Sequence, residues 1–196
     1  MRYLGGRWSW RTAFIVAALI EGAAVAGVLV YLAATGREVV LSVRSREARE
    51  AAEREIVVPV AGVRRAELRD SFHAPRSGGR QHLGIDIMAP EGTPVLAAAG
   101  GVIVKRDSSA LGGISLYERG MDGTTIYFYA HLSRYAIGVD EGDLVRQGDV
   151  IAYVGHTGNA SASAPHLHFG VYTVTDPNRW WHGRDLNPYL LLTQAK

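Results

Sequence analysis

The hydrophobic pattern divides the chain into three parts. Residues 12–34 form a near-continuous apolar run, TAFIVAALIEGAAVAGVLVYLAA, whose one charge is Glu21. About 20 such residues span a bilayer core as a helix. Arg2, Arg7 and Arg11 precede the run, which favours an N-terminus kept in the cytoplasm. Glu21 costs about 2.5–3.5 kcal/mol on insertion scales, and the surrounding Ile, Leu, Val and Phe offset it. Residues 1–36 are therefore expected to be a cytoplasmic stub and a single-pass transmembrane anchor. The rival expectation is a cleaved signal peptide, with Phe14–Ile20 as its apolar core and Ala24-Val25-Ala26 as its cleavage site. A short apolar core followed by a second apolar stretch fits cleavage poorly. In both cases the rest of the chain is sent across a membrane.

Residues 37–65 follow a different pattern. RSREAREAAEREI over residues 44–56 is rich in strong helix formers. Glu50 and Arg54 stand four apart in the favourable order, and little apolar face is present. This part reads as a charged helical linker, with Val57 to Arg65 as a short extended lead into the next domain.

From residue 66 to the end, short β-prone runs alternate with turns. Thr93–Ala99 and Val102–Lys105 are parted by two glycines. Ile114–Glu118 and Thr124–Ala130 flank Gly120-Met121-Asp122-Gly123, a hairpin connection. Asp143–Val145 and Val150–Val154 bracket another turn, and His166–Tyr172 is a final strand. The spacing predicts a mainly β domain, a small antiparallel sheet or sandwich, over residues 66–196. Neither a strand–helix alternation nor a GxGxxG loop is present.

Composition sharpens this picture. The sequence has 196 residues, a net charge of +2, no cysteine and 7 histidines. The lack of cysteine excludes disulfides, thiolate metal sites and a cysteine nucleophile. A charge this small is no argument for nucleic acid. Mean hydropathy is +0.02 and the sequence pI is about 9.0. The positive balance lies in the first 70 residues, whereas residues 71–196 carry one more acid than base. Every histidine lies in this last part.

Three local patterns there carry chemistry. In His82-Leu83-Gly84-Ile85-Asp86, an extended chain turns His82 and Asp86 to one face, with Gly84 leaving room between them and Leu83, Ile85 and Ile87 facing the core. His166 and His168 of H-L-H-F project from one strand face, with Leu167 and Phe169 anchoring the other. His131 of Y-A-H-L ends a strand whose other face is Ile126, Phe128 and Ala130. Imidazoles and a carboxylate suit Zn²⁺, and a catalytic zinc site has three protein ligands and an open position. Five candidates exceed one such set, so the surplus histidines serve as general acid or base or as donors to an oxyanion. His73, His156 and His182 read as packing or surface residues; His182 follows Trp180-Trp181 and borders a groove at most.

In their order, H-L-G-I-D, A-P-E-G-T-P-V, Y-A-H-L, V-G-H-T-G-N-A and H-L-H-F resemble the lysostaphin-type (LytM-like) zinc metallopeptidases, which are peptidoglycan endopeptidases. The resemblance runs from about Asp70 to Leu191. It implies one zinc ion held by His82, Asp86 and His168, with His131 and His166 catalytic. The implied reaction is attack by metal-activated water on a carbonyl of a cross-bridge or stem peptide. The implied setting is a bacterial inner membrane, with the catalytic domain in the periplasm or extracytoplasmic space.

Two departures from the family pattern stand out. His73 occupies a position where glycine is usual, and no tyrosine lies between Asp70 and His82 to steady an oxyanion. Arg76 and Arg80 are candidates for the border of the site. A catalytically silent relative that binds and activates another cell-wall hydrolase, or a divisome protein, is the alternative; all five site positions are intact, which speaks for an enzyme. A biotinyl- or lipoyl-like carrier is excluded because no lysine other than Lys105 and Lys196 is present.

Overall fold

The computed structural model describes residues 55–176 and 179–194, and all of them fall within one compact unit, Ala52–Lys196. Residues 12–34 and the helical linker up to residue 54 lie outside the described residues. Among the described residues no helix is long and apolar enough to cross a membrane.

The domain is an antiparallel β structure, as the alternating pattern predicts. Its strands are β1 (Ile85–Met88), β2 (Pro94–Leu96), β3 (Gly101–Ser109), β4 (Gly113–Gly120), β5 (Thr125–Tyr135), β6 (Leu144–Val145), β7 (Val150–Val154), β8 (His166–Thr173) and β9 (Arg184–Leu186). A short α-helix, α1 (Pro188–Thr193), follows β9, capped by the Asn187 side chain accepting from the Tyr189 amide. The main sheet runs β1-β8-β5-β4-β3-β6, β9 pairs with β8, and β2 pairs with β7. Strand β5 joins the two parts. Its first half pairs with β8 and β4, and its second half leaves to pair with β7.

That change of partner curls the sheet around one core. Tyr129, Phe169, Leu116, Ile103, Ile85, Leu167, Val95, Ile151 and Val154 are buried there, and Ala97 and Ala98 complete the packing. Each large apolar side chain so buried contributes about 1.5–3 kcal/mol. The chain joins this core before residue 66. Ile56, Val60 and Leu68 are buried in it, and Val57 and Leu96 exchange backbone bonds with Ala98 and Pro59.

Alternation leaves the opposite face of the sheet free. On β5, Tyr127 and Tyr129 point into the core, while Phe128 and Ala130 line a cleft on the far side. One bulge then breaks the alternation. Ile114 faces Leu132 and Leu116 faces Tyr129, so two residues of β5, Ala130 and His131, oppose one residue of β4. His131 adopts a left-handed backbone, φ 60°, and its amide bonds to the Gly112 carbonyl at 2.8 Å instead of a ladder partner. His131 thereby joins Ala130 on the cleft face, and Leu132 returns to the core. The expectation that His131 faces away from Phe128 and Ala130 fails for this reason. Strict alternation has no place for the extra residue.

A second polar element sits inside the core. Glu118 is fully buried on β4 and accepts a hydrogen bond from the Tyr129 hydroxyl at 2.6 Å. That hydroxyl in turn accepts from the Ala98 amide at 2.8 Å. Burial pushes the Glu118 carboxyl up to about 8, against the opposing pull of its hydrogen bonds. The folded protein therefore holds a proton that the unfolded chain releases near pH 4.5. Between those values the native state binds more protons than the unfolded state, so stability falls as pH rises, by about 1.4 kcal/mol per unit. Chemical denaturation of wild type and Glu118→Gln at pH 5 and pH 8 is expected to show wild type losing stability relative to the variant at the higher pH. A pH-independent difference would contradict the buried neutral carboxyl.

Candidate active site

Three segments bring the five sequence-predicted residues into a cleft of about 1240 Å³. His82 precedes β1, Asp86 lies on β1, and His168 lies opposite it on β8, where the register pairs Asp86 with His168. His166 stands two residues before His168 on the same face, and His131 comes from the bulge on β5. A Cβ at Gly84 would strike the Phe169 carbonyl and come within 3.0 Å of the His168 ring. Gly84 therefore makes room for β8 and His168, not for a gap between His82 and Asp86. Ile85 and Ile87 face the core as expected, but Leu83 is 46% exposed and lines the cleft. Regular β alternation begins only at residue 85.

The ring orientations are fixed by backbone carbonyls. The Nδ1 of His82 lies 2.8 Å from the Ser71 carbonyl, that of His131 2.9 Å from the Thr157 carbonyl, and that of His166 2.8 Å from the Ala164 carbonyl. A carbonyl only accepts, so each Nδ1 carries the proton and each Nε2 keeps its lone pair. The Nε2 of His82 faces Asp86 Oδ1 at 3.0 Å and His168 Nδ1 at 2.8 Å. His168 Nδ1 is 3.4 Å from the same oxygen, and His166 Nε2 is 3.7 Å from it. The His131 ring stands 5.0 Å from His166 and 6.0 Å from His168, between centroids.

Asp86 is the electrostatic centre of this group. Burial alone would raise its pKa, but the surrounding His168 and His82 imidazoles and the Arg76 guanidinium hold it well below the usual carboxylate range. Arg76 donates to Oδ2, which leaves Oδ1 turned toward the imidazoles. The Asp86 amide donates to the Ser71 hydroxyl at 3.2 Å, so Ser71 holds both Asp86 and His82. Burial pushes the His168 imidazole down, and it does the same to His131 against the pull of the Thr157 carbonyl.

The donor set fits a zinc ion. One ligand atom each from His82, Asp86 and His168 lies within 4.8 Å of the others. The closest separations of 2.8, 3.0 and 3.4 Å are near the edge, about 3.3 Å, of a tetrahedron with ligands at about 2.0–2.1 Å. His131 and His166 are outside this set and line the same cleft.

The remaining histidines sort differently. His156 pairs with Glu91 at 3.0 Å and does not line the cleft. His73 is exposed, stacks on Phe72 and has a left-handed backbone, φ 63°, a conformation that favours glycine. His182 lines the cleft with Trp180 and Trp181. Arg76 and Ser71 carry no sequence signal for their contacts with Asp86, because both reach it from a loop more than nine residues upstream. Tyr117 and Tyr172 line the cleft, whereas the opening stretch from Asp70 to His82 supplies no tyrosine.

Residues 80–188 match the model of Peptidase family M23, and the chain belongs to that family. It is 37% identical over 109 residues to the L-Ala–D-Glu endopeptidase of Bacillus subtilis, a match covering 53% of this chain and 33% of that protein. It is 43% identical over 94 residues to lysostaphin of Staphylococcus simulans, covering 46% of this chain and 18% of that protein. The chain thus spans a third or less of the length of these relatives. The crystallised catalytic domain of S. simulans lysostaphin superposes with a TM-score of 0.53 at 30% identity, covering 63% of this chain and 91% of that domain.

The carbonyl contacts yield a direct check. Nitrogen-15 NMR of the imidazoles in metal-free protein is expected to place the proton on Nδ1 of the neutral rings of His82, His131 and His166. A proton on Nε2 of any of the three would contradict the assigned orientation.

Proposed function

We propose that the chain is a zinc-dependent endopeptidase that hydrolyses peptide cross-links or stem peptides of bacterial peptidoglycan. Residues 12–34 hold it in the inner membrane, the charged segment ahead of Ile56 is the linker, and the β domain, which takes in Ile56 and Val60, acts in the periplasm or extracytoplasmic space. The observation that carries the reading is the convergence of His82 Nε2, His168 Nδ1 and Asp86 Oδ1 at one point of an open cleft. Membership of Peptidase family M23 supports it, as do relatives whose names specify an L-Ala–D-Glu endopeptidase and lysostaphin. The arginine flank of the apolar segment supports the membrane assignment.

His82, Asp86 and His168 would hold a zinc ion, which would supply Lewis acidity and lower the pKa of a water molecule toward about 7. The protein supplies the rest. Arg76 holds one oxygen of the Asp86 carboxylate and Ser71 accepts from the Asp86 backbone amide, so that the other oxygen stays turned toward the two ligand imidazoles. His131 and His166 present Nε2 lone pairs to the cleft. One of these nitrogens accepts the proton of the attacking water; once protonated it is a donor, able to hydrogen-bond the developing oxyanion and then to pass the proton to the leaving amine. Burial keeps His131 neutral and able to accept. Its left-handed backbone at the bulge goes with a ring turned into the cleft.

Purified peptidoglycan incubated with the full chain is the test, with released muropeptides identified by mass spectrometry. The expected result is new peptide termini that disappear with chelator and return with zinc. His131→Ala is expected to lower the rate by about 10²–10⁴-fold, the usual size of a general acid–base contribution. No release by the zinc-loaded protein would contradict the enzyme reading and favour a silent regulator of another hydrolase.

A further inference from the structure

The histidine cluster occupies one end of a continuous series of ring contacts. Phe128 meets His168 edge-on at 5.7 Å between centroids. Tyr117 tilts against Phe128 at 4.6 Å, and Trp180 meets Tyr117 edge-on at 5.1 Å. Trp181 then stands 5.9 Å from Trp180, and His182 lies 6.3 Å from Trp181. All six side chains line the cleft.

The sheet builds the inner part of this track. Tyr117 and Phe128 are register partners on β4 and β5, on the face opposite the core. The connection from β8 to β9 adds the outer part. It is pressed against β8 at Gly183, where a Cβ would stand 2.5 Å from both the Thr173 carbonyl oxygen and the Tyr172 ring. Trp181 nonetheless stays 57% exposed. It adds nothing to the core, and an exposed indole beside other aromatic rings marks a surface that takes a ligand.

The chemistry of the track selects the ligand. Phe128, Tyr117, Trp180 and Trp181 carry no charge, and the cationic Lys105 beside them is paired with Asp107 at 3.4 Å. A stem peptide is anionic and gains little from such a wall. A pyranose ring is neutral, with C–H groups on its faces and hydroxyl and acetamido groups at its rim. An indole, with a broad apolar face and one N–H donor, is complementary to it. Four ring contacts of 4.6–5.9 Å carry the series from His168 out to Trp181, so its outer rings are separated from the histidine cluster by Phe128 and Tyr117. We propose that Tyr117, Trp180 and Trp181 form a saccharide subsite that binds the glycan strand, while the attached peptide reaches the histidine cluster. This subsite rests on the peptidoglycan reading above, but its binding is measurable without catalysis.

The test is calorimetric titration of the full chain with a peptide-free N-acetylglucosamine tetramer, in the presence of chelator. Saturable binding by wild type is expected. Trp181→Ala should weaken it at least ten-fold, and Trp181→Phe, which keeps a flat ring, should restore most of the loss. Far-UV circular dichroism of each variant checks that the exposed position leaves the fold intact. No saturable binding by wild type, or equal binding by Trp181→Ala, would overturn the subsite. Because neither zinc nor bond cleavage enters the measurement, loss of muropeptide release alone would count against the enzyme reading and leave this result standing.

Discussion

Asp86 is a carboxylate removed from most of its water and surrounded by imidazoles, and most of the local architecture serves to hold it there. A buried carboxylate without partners would take up a proton. Here Arg76 holds one carboxylate oxygen, Ser71 accepts from the Asp86 amide, His82 faces the other oxygen, and His168 meets it across the β1–β8 ladder. The core beneath is the support. Ile85, Ile87, Leu167 and Phe169 anchor the two strands from behind, so a shift of either strand would separate Asp86 from His168. The missing side chain at Gly84 lets the strands approach closely enough for the contacts to form.

Around that fixed point the other catalytic candidates are held by backbone carbonyls, not by side-chain pairs. Ser71, Ala164 and Thr157 each receive an Nδ1 proton, and three lone pairs are thereby turned into one cleft. Rigid carbonyl acceptors cost no side-chain entropy to position, and they set the tautomer without adding charge. The bulge on β5 is the departure from regular sheet that shapes the cleft. It costs a left-handed histidine, and it gives the cleft an imidazole on the wall facing His166 and His168.

Much of this was legible in the sequence because strands record their burial as alternation. The runs at Val150–Val154 and His166–Tyr172 match β7 and β8 closely, and the ordered histidine motifs point to the five residues that line the cleft together. Other features left no periodic trace. The bulge at Ala130–His131 adds one residue to an otherwise regular pattern, so strict alternation turned His131 to the wrong face. Leu83 turns to the cleft because regular alternation starts only at Ile85, three residues beyond the histidine from which the H-x-x-x-D spacing counts it. Arg76 and Ser71 act from loops, where spacing carries no geometric information. The aromatic track joins β4, β5 and the β8–β9 connection, and only the folded sheet brings those positions together.

The central claim is that Asp86, His82 and His168 form one metal site whose geometry the fold sets in advance. Calorimetric titration of zinc into the metal-stripped full chain tests it most directly, comparing wild type with Asp86→Ala. The account predicts one equivalent bound by wild type and at least a hundred-fold loss of affinity in the variant, with its circular dichroism spectrum unchanged. Equal stoichiometry and affinity in the two proteins would contradict it.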